Sequence, residues 1–215
     1  MVLHADESCT AQWCGAAALE HVPAQSRERR AGVRFFVVVT ARFRVFYVFV
    51  VLEVASRRIR HWNVTEHPTA EWTAQQFRMV MSGEKPHRFL IHNHDSIFSD
   101  RVDRTIAAMG LTILKTPVRS PHANALCERA IGTIRRECLD WMIPWKEDQL
   151  RRVLGQWVAH YNRGRPHSSL GPGIPDAPDL APVPSGHRVR DGYRVAATSI
   201  LGGVHHEYRL ESRAA

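Results

Sequence analysis

"SPHANALCERAIGTIRRECLD", residues 120–140, constrains the architecture more than any other stretch. A polar, proline-containing loop runs into an amphipathic segment, which predicts a helix from about 123 to 142, with Pro144 breaking the chain beyond it. One acid, Glu128, lies near the helix start, and Arg135 and Arg136 follow. On an ordinary surface helix Glu128 would pair with Arg129 or Arg135. In a reaction centre it would need further acids brought to it by other elements.

Upstream, "VRFFVVVT" (33–40) and "RVFYVFVVLEV" (44–54) are rich in β-branched and aromatic residues, separated by a short polar break. They predict two buried strands joined as a hairpin. "RRIRHWNV" (57–64) alternates and predicts a third, half-exposed strand. "PTAEWTAQQFRMVMS" (68–82) predicts an amphipathic helix with Trp72, Phe77, Val80 and Met81 inward and Thr69 as its cap. "HRFLIHNHD" (87–95) predicts a short strand, "FSDRVDRTIAAMG" a helix stopped by Gly110, and "LTILKT" a fifth strand ended by Pro117. "KEDQLRRVLGQWVAHYNRGRPH" predicts a last helix with Leu150, Val153, Leu154, Trp157, Val158 and Tyr161 on its apolar face. The order favours an antiparallel start and parallel additions, hence an α/β fold with a mixed five-stranded sheet flanked by helices. Residues 1–30 are expected to be irregular, 31–170 to form the core domain, and 171–215 to be a Pro/Gly-rich tail with a hairpin at Gly202-Gly203.

With 215 residues, 44% of them hydrophobic, the chain can bury a sizeable core. Lys and Arg total 29 against 21 Asp and Glu, and the resulting charge of +8 favours a polyanion such as nucleic acid. A basic protein with no specific partner is the plainer alternative. The cysteines Cys9, Cys14, Cys127 and Cys138 form no C-x-x-C pair, as in a reduced cytoplasmic protein. Arg42 and Arg44 interrupt the most apolar run, so no membrane span is expected. The N-terminus shows no basic segment followed by an apolar one, so no signal peptide is expected.

Over roughly residues 33–170 the chain resembles the integrase catalytic core of insertion-sequence transposases and retroviral-type integrases, which has a ribonuclease H-like fold. Two blocks carry the resemblance: "SPHANALCERAIGTIRRECLD" and "WVAHYNRGRPHSSLG" (157–171). It implies DNA integration by phosphoryl transfer, with Mg²⁺ or Mn²⁺ held by three carboxylates that clamp the attacking and leaving oxygens. Glu128 of "CER" matches the third acid. The first precedes an aromatic pair, here Phe35-Phe36, and that position holds Arg34. The second follows the "FLI" strand, five residues before an aromatic, here Phe98, and that position holds Asn93. Asn93 and Glu128 enclose 34 residues, close to the family interval.

Two of the three acids are therefore replaced, and Arg34 sets a fixed positive charge where dications belong. Asp95 is the candidate substitute, which would leave Glu128 and Asp95 as the metal ligands. His92 and His94 alternate on the strand end and make a weaker candidate metal pair. Lys115, Arg135, Arg136 and Arg165 are candidate phosphate contacts, although a solvated helix face accounts equally for Arg135 and Arg136, and Lys115, after the fifth strand, reads first as a lone surface lysine. Arg165 and His167 of "RPH" are expected to shape either the acidic helix or the DNA surface. Trp72, Trp157 and Tyr161 are expected in the core.

The leading expectation is lost catalysis with retained non-specific DNA binding, which would associate a cytoplasmic protein with the nucleoid. One alternative is a residual nuclease using Glu128 and Asp95. Another is a non-catalytic module that forms a homo-oligomer or joins an intact transposase. The family's usual helix-turn-helix region is not readable in residues 1–30.

Overall fold

The computed structural model describes residues 30–81, 87–93, 95–115, 124–171, 173–177, 189 and 191–213. The expectations for residues 1–29, for His94, for the strand end at Pro117 and for the loop 120–123 lie outside the described residues. The chain divides into two compact units, Met1–Phe36 with Tyr47–Arg129 and Val37–Phe46 with Ala130–Ala215. These do not follow the composition changes near 30 and 170.

In chain order the main elements are β1 (Arg30–Val39), β2 (Val45–Glu53), β3 (Ile59–Thr65), α1 (Ala70–Met81), β4 (Phe89–His92), α2 (Asp100–Ala108) and β5 (Thr112–Lys115). Then come α3 (Ala125–Glu137), α4 (Glu147–Arg163), β6 (Tyr193–Ile200) and β7 (His205–Ser212). The first five strands form one sheet in the order β3-β2-β1-β4-β5. β2 and β3 pair antiparallel, and β1–β4 and β4–β5 pair parallel. The mixed sheet expected from the sequence is thus present.

Position in the sheet explains the sequence texture. β1 and β2 have neighbours on both sides, and nearly continuous apolar runs suit strands covered on both faces. β3 lies at the edge and alternates, with Arg60 exposed and Ile59 and Val64 buried. Val33, Phe35, Phe49, Val51 and Leu90 meet Phe77 of α1 and Val102 and Ile106 of α2 in one core. Phe49 centres it, with ring centroids 5.0 Å from Phe35 and 5.4 Å from Phe77. Such aromatic pairs add about 0.5–1.5 kcal/mol beyond area burial.

Thr69 caps α1 as expected, its hydroxyl accepting from the Trp72 amide at 3.2 Å. Gln76, not expected inside, is buried because its Oε1 accepts from Asn63 at 2.7 Å and contacts a His61 ring nitrogen at 2.9 Å. Gly110 ends α2 at φ +83°, a left-handed position that glycine takes without strain.

α3 stops at Glu137, short of the expected 142, and a single 3₁₀ turn, Leu139–Trp141, follows. The Trp141 indole N–H donates to the Arg136 carbonyl at 2.8 Å, satisfying an oxygen that the ended helix leaves open. α4 buries Leu150, Leu154, Trp157, Val158 and Tyr161, while Val153 is only half-buried. β6 and β7 form an antiparallel ribbon that turns through Leu201, Gly202 and Gly203, all at positive φ. Eight residues form each strand, more than the apolar pattern at the chain end suggests. Glu207 of β7 meets His160 of α4 at 2.8 Å, so the ribbon is docked on that helix.

Candidate functional site

Glu128 lies in the first turn of α3, where the positive end of the helix dipole favours a carboxylate. Its position follows from what the preceding turn touches. A Cβ on Gly32 of β1 would lie 2.5 Å from the Cys127 sulfur and 3.0 Å from Asn124 Oδ1. Only glycine therefore lets α3 approach β1 this closely. The buried Asn124 amide donates to the Val33 carbonyl at 3.2 Å and fastens the turn to the strand.

Residues two apart on a strand share a face, so Arg34 lies beside Gly32 under the same helix. Asn124 and Glu128, four apart, share the facing side of α3. The Arg34 guanidinium accordingly donates to Glu128 Oε1 and forms an ion pair with it. The parallel register pairs Gly32 with Ile91. Arg34 and Asn93 each lie two residues further on, at the same level of neighbouring strands. The three positions matched by resemblance thus lie on β1, just past β4, and on α3.

Asn93 Oδ1 is buried without a hydrogen-bond partner. Asp95 lies in the turn that follows, where Oδ1 accepts from the Ile97 amide at 3.4 Å and its carbonyl accepts from the Phe98 amide at 2.9 Å. Asn93 and Asp95 line a cavity of about 400 Å³ with His92, Phe98, Ser99 and Lys115. Neither Arg34 nor Glu128 lines it.

Beneath this cavity Asp103 of α2 lies between His92 Nε2 at 3.0 Å and Lys115 Nζ at 2.6 Å. The Lys115 contact is an ion pair, while the His92 contact carries charge only if the imidazole is protonated. His92 is 1% exposed and stacks on Phe98 at 4.5 Å. Burial holds its pKa below the usual 6.5, against the upward pull of the Asn93 carbonyl and Asp103. His87 is lowered too, again chiefly by burial.

A base with a depressed folded pKa binds protons preferentially when unfolded, so stability is full above pH 6.5 and falls as pH drops below it. The melting temperature is expected to decline from pH 6.5 downwards, and His92→Gln to flatten that decline. An unchanged slope in the variant would assign the acid sensitivity elsewhere.

The residues present do not fit a pair of dications. Magnesium takes hard, mostly anionic oxygens in octahedral geometry. Glu128 has Arg34 in the place of a metal, Asn93 offers one neutral oxygen, and Asp95 faces its own turn. Among the described residues no group of three or more His, Cys, Asp or Glu could hold a metal ion. Burial pushes the Cys127 and Cys138 thiols up to about 12, which leaves both protonated and unsuited to metal ligation.

Three of the four candidate DNA cations are engaged within the protein. Lys115 is on Asp103, and Arg135 donates to the Val37 carbonyl at 3.1 Å. Arg136 is exposed and folds back over Gly132. Arg165 grips Glu137 with two bonds, of 2.8 and 2.6 Å, and this pairing raises its pKa. His167 sits edge-on to Tyr161 at 4.7 Å. Arg165 and His167 therefore brace the junction of α3 and α4. Sequence reasoning missed Gly32, Asn124 and Cys127. A glycine inside an apolar strand, read with an Asn just before a helix, was the available signal.

Residues 109–175 match the family model described as Integrase core domain. The InsD transposase of the Escherichia coli insertion element IS2A/D/F/H/I/K is 31% identical over 143 residues, covering 60% of this chain and 45% of that protein. The InsD transposase of IS2-9 from strain K12 is likewise 31% identical, with 44% of its length covered. The chain spans less than half the length of these relatives.

Among solved structures, an HTLV-2 integrase catalytic core in complex with magnesium matches at TM-score 0.53 and 11% identity, over 67% of this chain and 91% of that one. A simian T-cell lymphotropic virus intasome in complex with PP2A regulatory subunit B56 gamma matches at TM-score 0.59 and 10% identity, over 85% and 66%. The Mos1 mariner transposase catalytic domain matches at TM-score 0.51 and 13% identity, over 62% and 71%. The fold is that of integrase catalytic cores, and the sequence match bears out the resemblance to transposase cores.

Proposed function

We propose that this chain is a transposase-type integrase core, with its domain over residues 31–170, that binds DNA without catalysing strand transfer. The Arg34–Glu128 ion pair is the observation that carries this reading. It occupies the third acid with an internal cation, and Asn93 supplies no charge at the second position. Breaking such a pair to admit a metal exposes the dication to a permanent guanidinium charge. Nothing in the Asp95 geometry favours a nuclease built on Glu128 and Asp95. No described helix is long and apolar enough to cross a membrane, consistent with a protein that works on DNA in the cytoplasm. Association with itself or with an intact transposase belongs to the same reading, as HTLV-2 cores are described in dimeric and trimeric forms.

Purified protein is expected to give no strand-transfer or nicking product above background with Mg²⁺ or Mn²⁺. It is expected to bind duplex DNA non-specifically, with affinity falling about tenfold or more between about 50 and 200 mM salt through counterion release. Metal-dependent product that disappears in Glu128→Gln would overturn the first half. Absence of binding at low salt would overturn the second.

A further inference from the structure

We propose that the β1–β2 turn and the segment around Pro144 form a binding surface for unpaired DNA bases. This rests on the DNA-binding reading above and assigns it a place that the catalytic positions do not occupy. The Ala41 amide donates to the Pro144 carbonyl at 2.9 Å and brings the two segments together. Around that bond Phe43 is 87% exposed, Trp141 70%, Ile143 68% and Trp145 61%. Single exposed apolar residues are ordinary, but three aromatic rings and an isoleucine on two bonded segments are not.

The segments that carry the rings are fixed. Phe43 sits at φ +59°, a conformation that costs energy for a side chain with a Cβ, yet presents its ring to solvent. The turn is fixed by the Phe43 amide donating to the Thr40 carbonyl and the Arg44 amide donating to Thr40 Oγ1. The Trp141 indole is anchored on Arg136, and the Trp145 amide donates to Gln149 Oε1 at 2.9 Å.

Charge selects the occupant. Arg42, Arg44 and Lys146 are exposed in the same two segments. The exposed acids nearby are Asp140 and Asp148, while Glu147 is paired with Arg151. The chain as a whole carries a charge of +8, and aromatic faces beside exposed cations suit a chain that alternates flat bases with phosphates. A duplex hides its base faces by stacking, so the partner is single-stranded or locally unpaired DNA.

Fluorescence anisotropy with an oligothymidylate of about 20 nucleotides and the matching duplex tests this, with tryptophan quenching as a second readout. The wild type is expected to bind the single strand with quenching. Phe43→Ala with Trp145→Ala is expected to weaken that binding about tenfold and to leave duplex affinity within about twofold. Phe43→Gly, which suits the positive φ, guards against misfolding and should show part of the loss.

Unchanged single-strand affinity in both variants would overturn the proposal. So would a wild type that binds duplex but not single strands, which leaves the DNA-binding reading intact. A wild type that binds the single strand with quenching but not the duplex would instead strike the duplex half of that reading and support this surface. If the variants only dissociate an oligomer, or only abolish binding to anionic lipid vesicles, the surface belongs to a protein or a membrane and the proposal fails.

Discussion

Calorimetric titration of the Arg34→Asp, Asn93→Asp double variant with Mn²⁺ is expected to show a binding event that the wild type lacks. The changes put carboxylates at the level of two neighbouring strands, beneath the helix turn that carries Glu128. They also remove the guanidinium, so the variant gains attraction and loses repulsion together. Asn93→Asp alone keeps Arg34 and should gain little. Arg34→Asp alone should gain more, since Asn93 still offers one oxygen. At a free Mn²⁺ concentration one hundred times Kd, binding stabilises the fold by about 2.7 kcal/mol. For a protein of this size that raises Tm by about 5–10 °C. A folded double variant that binds Mn²⁺ no better than wild type would show that these three side chains do not converge.

Replacing Gly32 with valine is expected to lower stability by about 3 kcal/mol or more, because overpacking at a close approach displaces whole elements. The added atoms would meet Cys127 and Asn124, both buried, with no room on that face. α3 must lift from β1, which breaks the Asn124–Val33 bond and separates Arg34 from Glu128. Gly32→Ala should cost about 1–3 kcal/mol by the same route. Urea denaturation measures the loss, and thiol labelling locates it. Cys127 is 2% exposed and resists modification in the wild type, and should label readily in the variant. A valine variant with an unshifted midpoint and a protected Cys127 would refute this account of the helix–strand contact.

The order of elements along the chain, the parallel additions and the helix bearing Glu128 were legible because they rest on periodicity, breakers and two long blocks of resemblance. Thr69 and Gly110 were legible as a cap and a stop because each has a local stereochemical role. The end of α3 was not, because the apolar pattern continues past Glu137 and only the Trp141 indole shows where the helix closes. The site was half legible. The resemblance named Arg34, Asn93 and Glu128, but spacing cannot tell that a guanidinium grips the acid or that Asp95 lines the Asn93 cavity, whose lining does not include Glu128. Lys115 and Arg165 looked like phosphate contacts because sequence shows their charge and hides their partners. Asp103 and Glu137 become neighbours only through the fold.

The Arg34–Glu128 bond also shapes the paths open to the gene. A reversion at Asn93 alone leaves a cation beside the new acid. A reversion at Arg34 alone strips Glu128 of its counter-charge and restores only two of three carboxylates. Neither single step assembles all three carboxylates, and the one at Arg34 leaves Glu128 without its counter-charge. A full set of three acids at this place therefore needs both changes, and the salt bridge must be given up on the way.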